Sequence, residues 1–284
     1  MLLARTLASH GVASLPPMRI DEETWTLDVT LRVGRGARTV RVAPAAEDRA
    51  SVAIIGRDVG ERGRATLLAQ LRHMFRLDED LSRFYEIARA DEDLAWAALG
   101  AGRMLRSPTV FEDVVKTICT TNCAWSATVR MVTALVEHVG VAAAGTERRS
   151  FPTPEAMADA PESFYADVAR TGYRGAYLRK LASDVASGEL DLEQLNDPEL
   201  GDEEVEERLR ALPGVGPYAA AHVMLTSLGR YSRLVLDSWT RPTYARLAGR
   251  KAVSDKSIER RFKRYGPYAG LAFWLLLTRS WVED

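Results

Sequence analysis

Cysteine is nearly missing from this chain of 284 residues: Cys119 and Cys123 stand alone, four apart in a helical stretch. Two thiols at that spacing build neither a disulfide framework nor a metal cluster, so both read as small apolar fillers. Long apolar runs are missing too, and no stretch approaches the roughly 18 residues of a membrane-spanning helix. The N-terminus, MLLARTLASHGVASLPP, lacks the basic start and long apolar core of a signal peptide. The expectation is a cytoplasmic protein (nucleoid-associated in a bacterium) with no membrane partner. Net charge is scarce as well, at −1, which by itself argues for no particular partner.

What is present has the balance of a globular protein, with 46% hydrophobic and 27% charged residues, enough for one large or several small cores. The charge is unevenly spread. Gly201 to Arg210 holds five acids and two arginines, whereas Leu228 to Arg264 holds eleven Lys/Arg and three acids. Phosphate docking depends on the local field, so a neutral chain with one basic segment can still bind nucleic acid. A solvated helix face paired with nearby acids accounts for the same pattern.

Two kinds of periodicity divide the chain. Trp25–Val33 alternates apolar and polar residues, GRGA turns, and Arg38–Val42 alternates again, a hairpin by period and turn chemistry. Ser51–Ile55 reads as another strand and Glu61–Met74 as a helix. From about Asp80 onward no strand is expected. Helical periods cover Phe111–Cys123, Ala127–Val139, Pro161–Arg170, Tyr177–Ser187, Asp202–Leu212, Tyr218–Leu228, Arg241–Leu247, Ser257–Tyr265 and Gly270–Ser280, separated by Gly, Pro, Asn and Asp. The fold class is α+β, mostly α: a small antiparallel sheet followed by an all-helical body.

Leu212–Arg241, LPGVGPYAAAHVMLTSLGRYSRLVLDSWTR, is the most informative segment. A helix ends at Leu212, Pro213-Gly214-Val215-Gly216 turns, and Pro217 opens the next helix, where proline is well suited. Amides exposed at such a helix start suit a phosphate, although an ordinary helix connection has the same look. Further on, Asp237 ends the apolar run Leu234-Val235-Leu236 and precedes Trp239. A carboxylate there costs free energy without a task or a partner. It either caps the next helix, serves chemistry, or does both.

The segment resembles the helix-hairpin-helix/Gly-Pro-Asp motif of DNA glycosylases, and the likeness extends to other elements. ICTTN (Ile118–Asn122) resembles the element that fills the gap left by a flipped base. TGYRGAYL (Thr171–Leu178) resembles the GYRxxY wedge, and YGPYAG (Tyr265–Gly270) resembles the start of the final helix of 8-oxoguanine DNA glycosylases. The N-terminal sheet is similar to the extra domain of those enzymes and of 3-methyladenine DNA glycosylase II. The resemblance implies an N-terminal unit over 1–90, a discontinuous helical unit over 91–108 and 235–284, and a second helical unit over 109–234 that ends in the hairpin. It implies double-stranded DNA with a damaged base as partner, a protein working as a monomer, and Asp237 as catalytic carboxylate. Gly214, Val215, Gly216, Asn122, Tyr173 and Arg174 are then the DNA contacts. The carbonyls of Arg210, Leu212 and Val215 would hold a monovalent cation, Na⁺ or K⁺.

Two departures narrow the chemistry. The lysine that in bifunctional members attacks the sugar is replaced by Tyr218, which forms no Schiff base. The nearby lysines read as lying on other faces or elements, so the reaction is expected to stop at base removal by water, assisted by Asp237. In the last helix, Phe273 stands for a glutamine and Leu277 for a phenylalanine, which removes a reader of oxidised guanine. Tyr218, Phe273, Trp125, Trp239 and His222 are the candidates for the base pocket, with Tyr268 and Trp274 also available. Such rings stack on cationic, alkylated purines. Trp239 and Trp274 serve equally as packing, and a packed histidine is the plainer reading of His222. The four-cysteine iron–sulfur loop of some glycosylases is missing, and no other cofactor is implied. The leading expectation is a monofunctional glycosylase for alkylated or deaminated purines. A rebuilt 8-oxoguanine enzyme and a lesion-binding protein without chemistry are the rivals.

Overall fold

Alternating aliphatic residues build the first structural layer. In the computed structural model, which describes residues 2–46 and 49–282, strands β1 (Met18–Asp21), β2 (Thr26–Val33), β3 (Gly36–Pro44) and β4 (Ala50–Ile55) form one antiparallel sheet in sequence order. Residues 1, 47, 48, 283 and 284, which fall in the ranges expected for the first and last units, lie outside the described residues. Val33 pairs with Gly36, so the expected GRGA turn is a tight two-residue loop with Gly34 at φ +59°. The edge strand β1 has only four residues, too short for its period to stand out in the sequence. Helix α1 (Leu3–Leu7) precedes it.

One face of the sheet is apolar. Leu27, Val29, Leu31, Val40 and Val42 pack under Leu67, Leu71 and Met74 of α2 (Glu61–Met74), whose spacing of four and three gives a single stripe. The opposite face is polar and also covered. Asp28 is buried and takes both Arg41 and Arg148, while the Thr30 and Thr39 hydroxyls pair at 3.0 Å. Asp28 is held below the usual carboxylate range, chiefly by the Arg41 hydrogen bond against the opposing effect of burial. Residues 142–149 form the cover, and Gly56 and Gly145 meet there back to back. A Cβ on Gly145 would lie 2.5 Å from the Arg57 amide nitrogen.

The helical body follows: α3 (Ser82–Arg89), α4 (Val110–Thr120), α5 (Trp125–Val139), α6 (Pro154–Asp159), α7 (Arg174–Ser187), α8 (Asp202–Arg210), α9 (Pro217–Val223), α10 (Thr240–Leu247), α11 (Asp255–Phe262) and α12 (Ala269–Thr278). The start signals are chemical. Thr109 Oγ1 accepts the Glu112 amide, and Thr153 Oγ1 accepts the Ala156 amide ahead of Pro154. Among the described residues there is no strand beyond β4, as the sequence implied. Pro161–Arg170, expected as a regular helix, is helical over 162–168, but Phe164–Val168 within it takes the π form; α6 precedes it. Ala160 is extended ahead of Pro161, and one buried Met157 gives α6 no readable period. Helix α9 likewise passes into a π turn, Met224–Leu228.

Two helical cores result. Helices α4, α5, α7, α8 and α9 enclose one around Val114, Ile118, Leu135, Leu178 and Val223. Helices α3, α11 and α12 enclose the other around Phe84, Phe262, Leu271 and Phe273. Leu81, Phe84 and Ala88, read with the N-terminal unit, thus pack with the last helices. Where the sheet unit meets α4 lies a buried ion pair: Lys116 Nζ is 2.7 Å from Glu112 Oε1, with side-chain exposures of 0% and 5%. Lys116 also reaches Ser107 Oγ at 3.4 Å and the Leu15 carbonyl at 3.5 Å. Losing one partner strands the other charge without water. Lys116→Met should therefore cost about 3–5 kcal/mol in urea unfolding. The double variant Glu112→Leu/Lys116→Met should recover most of that loss, and an equal or larger loss in the double would show that the pair itself is not the cause.

Candidate functional site

The hairpin between α8 and α9 is built by residues with different tasks. Leu212 and Val215 point into the helical core, each less than a tenth exposed, and the Val215 amide donates to the Leu212 carbonyl at 3.2 Å. Gly214 takes φ +80°, and a Cβ there would stand 2.8 Å from Tyr177 Cδ2, so any side chain would push the turn off α7. Gly216 is exposed and extended, and Pro217 opens α9. The Arg210 and Val215 carbonyls accept no hydrogen bond among the described residues.

Beyond α9 the chain returns as Tyr231–Leu236, and Gly270 near the start of α12 lets it come close. The Gly270 amide donates to the Tyr231 carbonyl at 2.7 Å, and a Cβ on Gly270 would fall 2.0 Å from the Arg233 carbonyl oxygen. That approach sets where Asp237 emerges. Asp237 Oδ1 accepts the Trp239 amide at 2.8 Å and the Thr240 amide at 2.6 Å, and Thr240 Oγ1 accepts the Asp237 amide at 2.8 Å. The carboxylate therefore caps α10, half-buried, at the positive end of that helix. Among the described residues Oδ2 accepts no hydrogen bond, so capping uses one oxygen and leaves the other without a partner.

Rings surround this corner. Tyr218, at the second position of α9, shares a hydrogen bond with Thr120 Oγ1 at 3.2 Å. Its hydroxyl pKa is pushed up, mainly by burial and further by the Asp237 charge. One turn on, His222 lies 5.9 Å from Tyr218 and 6.3 Å from Trp274, centroid to centroid. Trp239 packs on Trp274 and on Trp281. His222 also meets His10 edge-on at 5.8 Å and Thr117 Oγ1 at 3.4 Å. His10 comes from the far N-terminus, its Nε2 donating to the Leu105 carbonyl at 2.6 Å, while the neighbouring Ser9 carbonyl accepts the Trp274 indole. Burial lowers His10 to about 4 and His222 to about 3, so both are neutral at pH 7.

Asp237, Tyr218, His222 and Trp239 are thus brought together. Phe273 is not: it is fully buried, with its ring against Tyr244 and Phe262, and the rotation of one residue along α12 turns Trp274 toward His222 in its stead. Trp125 opens α5 and stays 47% exposed beside Gly11, away from those rings. Asn122, Tyr173 and Arg174 form their own cluster, which reaches the hairpin through Tyr177 and Gly214. His10, Thr117, Thr120 and Trp281 also belong to the corner, and no sequence signal marks them, because the groups they meet lie far off along the chain.

Part of the basic segment is neutralised. Arg230 pairs with Asp202, Arg233 with Glu203 and Glu206, Arg241 with Asp255, Arg261 with Asp93 and Arg264 with Asp91. Among the described residues, Arg246, Arg250, Lys251, Lys256, Arg260 and Lys263 have no such acidic partner. Lys256, Arg260 and Lys263 line a cleft of about 950 Å³ that also touches Pro217, Tyr218 and Leu236. Lys256 and Lys263 thus stand on other elements than Tyr218, as the sequence implied, but share a cleft with it.

Comparison with known proteins follows the same lines. The family model described as "HhH-GPD superfamily base excision DNA repair protein" matches residues 115–268. A "DNA-3-methyladenine glycosylase" of Bacillus subtilis is 26% identical over 230 residues, covering 78% of this chain and 75% of that protein. The 3-methyladenine DNA-glycosylase from Archaeoglobus fulgidus superposes with a TM-score of 0.75 at 19% identity, over 99% of this chain and 96% of that one. The Clostridium acetobutylicum 8-oxoguanine glycosylase/lyase, solved with double-stranded DNA carrying cytosine opposite 8-oxoG, gives 0.74 at 23% identity, over 98% and 91%.

The two buried histidines carry a pH signature. Unfolded histidines protonate near pH 6.5, whereas these stay neutral in the fold down to about 4 and about 3. Below 6.5 the unfolded chain binds more protons, so stability falls with falling pH and the effect is absent above 6.5. Each group steepens the fall by up to about 1.4 kcal/mol per pH unit. His222→Gln should flatten the dependence of the urea midpoint between pH 6.5 and 5. An unchanged slope would show that His222 protonates freely in the fold.

Proposed function

The chain belongs to the HhH-GPD superfamily of base excision DNA repair proteins, and on that premise we propose that it is a DNA glycosylase that hydrolyses the N-glycosidic bond of a flipped, alkylated purine. One observation carries the reading: Asp237 is fixed by the Trp239 and Thr240 amides beside Tyr218, at the position where a strand-cutting member would place its amine. Departure of the base leaves positive charge on the deoxyribose, which an ionised, preorganised carboxylate stabilises. The same group orients and deprotonates the attacking water. A tyrosine forms no Schiff base, so the reaction ends at an abasic site.

Alkylated purines suit the surroundings. Tyr218, His222, Trp239 and Trp274 offer ring faces and edges without a formal positive charge, since His10 and His222 are neutral at pH 7. A cationic base gains from such faces and is the better leaving group. Phosphate contact falls to the exposed hairpin amides and to the unpaired cations of α11 and its surroundings. The Arg210, Leu212 and Val215 carbonyls fit a monovalent cation, being neutral oxygens where α8 ends, two of them without a hydrogen bond. A Na⁺ or K⁺ bound there would supply positive charge to a DNA phosphate.

The test is base release from duplexes carrying 3-methyladenine, 7-methylguanine, hypoxanthine or 8-oxoguanine, followed with and without hot alkali. The alkylated bases should be released, with strand breaks only after alkali. Asp237→Asn should lower release by about 100-fold or more, in the range seen when one electrostatic stabiliser is removed, while binding to an abasic-site duplex persists. A borohydride-trapped adduct would overturn the water mechanism and point to Lys256 or Lys263 as the amine. Excision of 8-oxoguanine alone would move the chain to the other substrate class.

Affinity for DNA should fall steeply with salt. Lys256→Gln/Lys263→Gln should reduce the slope of log K against log salt by about 2, roughly one for each phosphate no longer neutralised. An unchanged slope would place the DNA on another face.

A further inference from the structure

At the end of α10 remote from Asp237 lies another cleft, of about 730 Å³. Eight helical residues, at about 1.5 Å each, set it about 12 Å along the axis from the end that Asp237 caps. Its lining is largely apolar, from Tyr244, Leu247 and Ala248 at the end of α10 and from Leu276, Leu277 and Val282 at the end of α12. Leu247 is 56% exposed. A lone exposed leucine is ordinary, but one that lines an apolar cleft belongs to a contiguous patch of the kind that receives a partner.

The uncompensated charge that borders the cleft is mostly positive. Arg261 and Asp93 both line it and pair with each other at 3.3 Å, so together they add no net charge. Arg279 also lines it, and Arg246 precedes Leu247. Both are exposed, and among the described residues neither guanidinium has an acidic partner. Arg250 and Lys251, exposed and equally without an acid, follow the end of the helix. Against these cations stands Glu92, beside Asp93 in the chain.

We propose that this cleft docks an acidic, amphipathic segment of a partner protein while DNA occupies the Asp237 end. Two demands define the occupant: apolar side chains for the lining and carboxylates for the rim. DNA meets only the second, since its phosphates offer nothing to bury beside Leu247 and Leu276. A second copy of this chain fits no better. Its acid-rich helix α8 exposes Glu203, Glu204 and Glu207 but turns Val205 and Leu209 into its own core. A segment with leucine or phenylalanine at helical spacing and acids between them meets both demands, as a helix laid in a groove does. The inference goes beyond the glycosylase reading and does not depend on it.

The probe is a fluorescein-labelled peptide, Asp-Leu-Glu-Glu-Leu-Phe-Asp-Glu-Leu-Glu-Asp, titrated with the full chain and read by anisotropy. It should bind saturably, and less tightly as salt rises. Leu247→Glu removes an apolar anchor at an exposed position and adds a charge that repels the peptide, so it should weaken binding about tenfold or more. Arg246→Glu/Arg279→Glu should do the same. In Leu247→Glu the affinity for an abasic-site duplex should stay unchanged, and saturating duplex should leave the peptide bound to the wild type. No saturable binding, or equal binding of a peptide with lysines in place of its acids, would overturn the proposal. So would displacement of the peptide by duplex, which assigns the cleft to DNA, or a concentration-dependent dimer lost in Leu247→Glu, which assigns it to a second copy.

Discussion

Two backbone amides fix the carboxylate on which the proposed chemistry depends. The N–H groups of Trp239 and Thr240 hold one oxygen of Asp237 at the start of α10, and the Asp237 amide in turn donates to Thr240 Oγ1. A carboxylate so placed is kept still by its partners. Everything upstream serves that position. Gly270 admits the Arg233 backbone against α12, which sets the direction in which the chain leaves Leu236. The hairpin starts α9 at Pro217, which puts Tyr218 within the field of the carboxylate.

Around this corner the molecule joins its most distant segments. Ser9 and His10 lock Leu105 and Trp274 through hydrogen bonds that span 95 to 265 residues, and His10 meets His222 edge-on. The sheet unit is thereby part of the site's wall. Arg76 adds a second tie, donating to the carbonyls of Met104 and Thr226 and so linking the end of α2 to the π turn after α9. Lys116 of α4 makes a third, donating to the Leu15 carbonyl while paired with Glu112 of its own helix. Buried polar groups that are paired in this way fix one arrangement, because breaking any of them leaves a charge or a dipole without water.

Charge is managed by pairing. The acids of α8 face Arg230 and Arg233, so the acidic and basic segments that stand apart in the sequence neutralise one another in the fold. Of the cations left without acids among the described residues, Lys256, Arg260 and Lys263 line the cleft that touches Tyr218. Net charge near zero and a locally positive face are thus compatible.

The sequence by itself determined the local elements and the family. Period-two alternation marked β2 and β3, a four-and-three stripe marked α2, and Pro-Gly-Val-Gly-Pro ahead of a lone aspartate marked the hairpin and Asp237, because turns, caps and amphipathic faces are written in neighbouring residues. Short elements such as β1, α3 and α6 escaped, since too few residues repeat to reveal a period. Tertiary structure alone decided which ring faces which. Phe273 and Trp274 are neighbours in α12, yet one turns to Tyr244 and Phe262 and the other to His222 and Trp239. It also decided that Arg174 faces inward and that His10 reaches His222. Those outcomes depend on packing between segments far apart along the chain, and no local pattern encodes them.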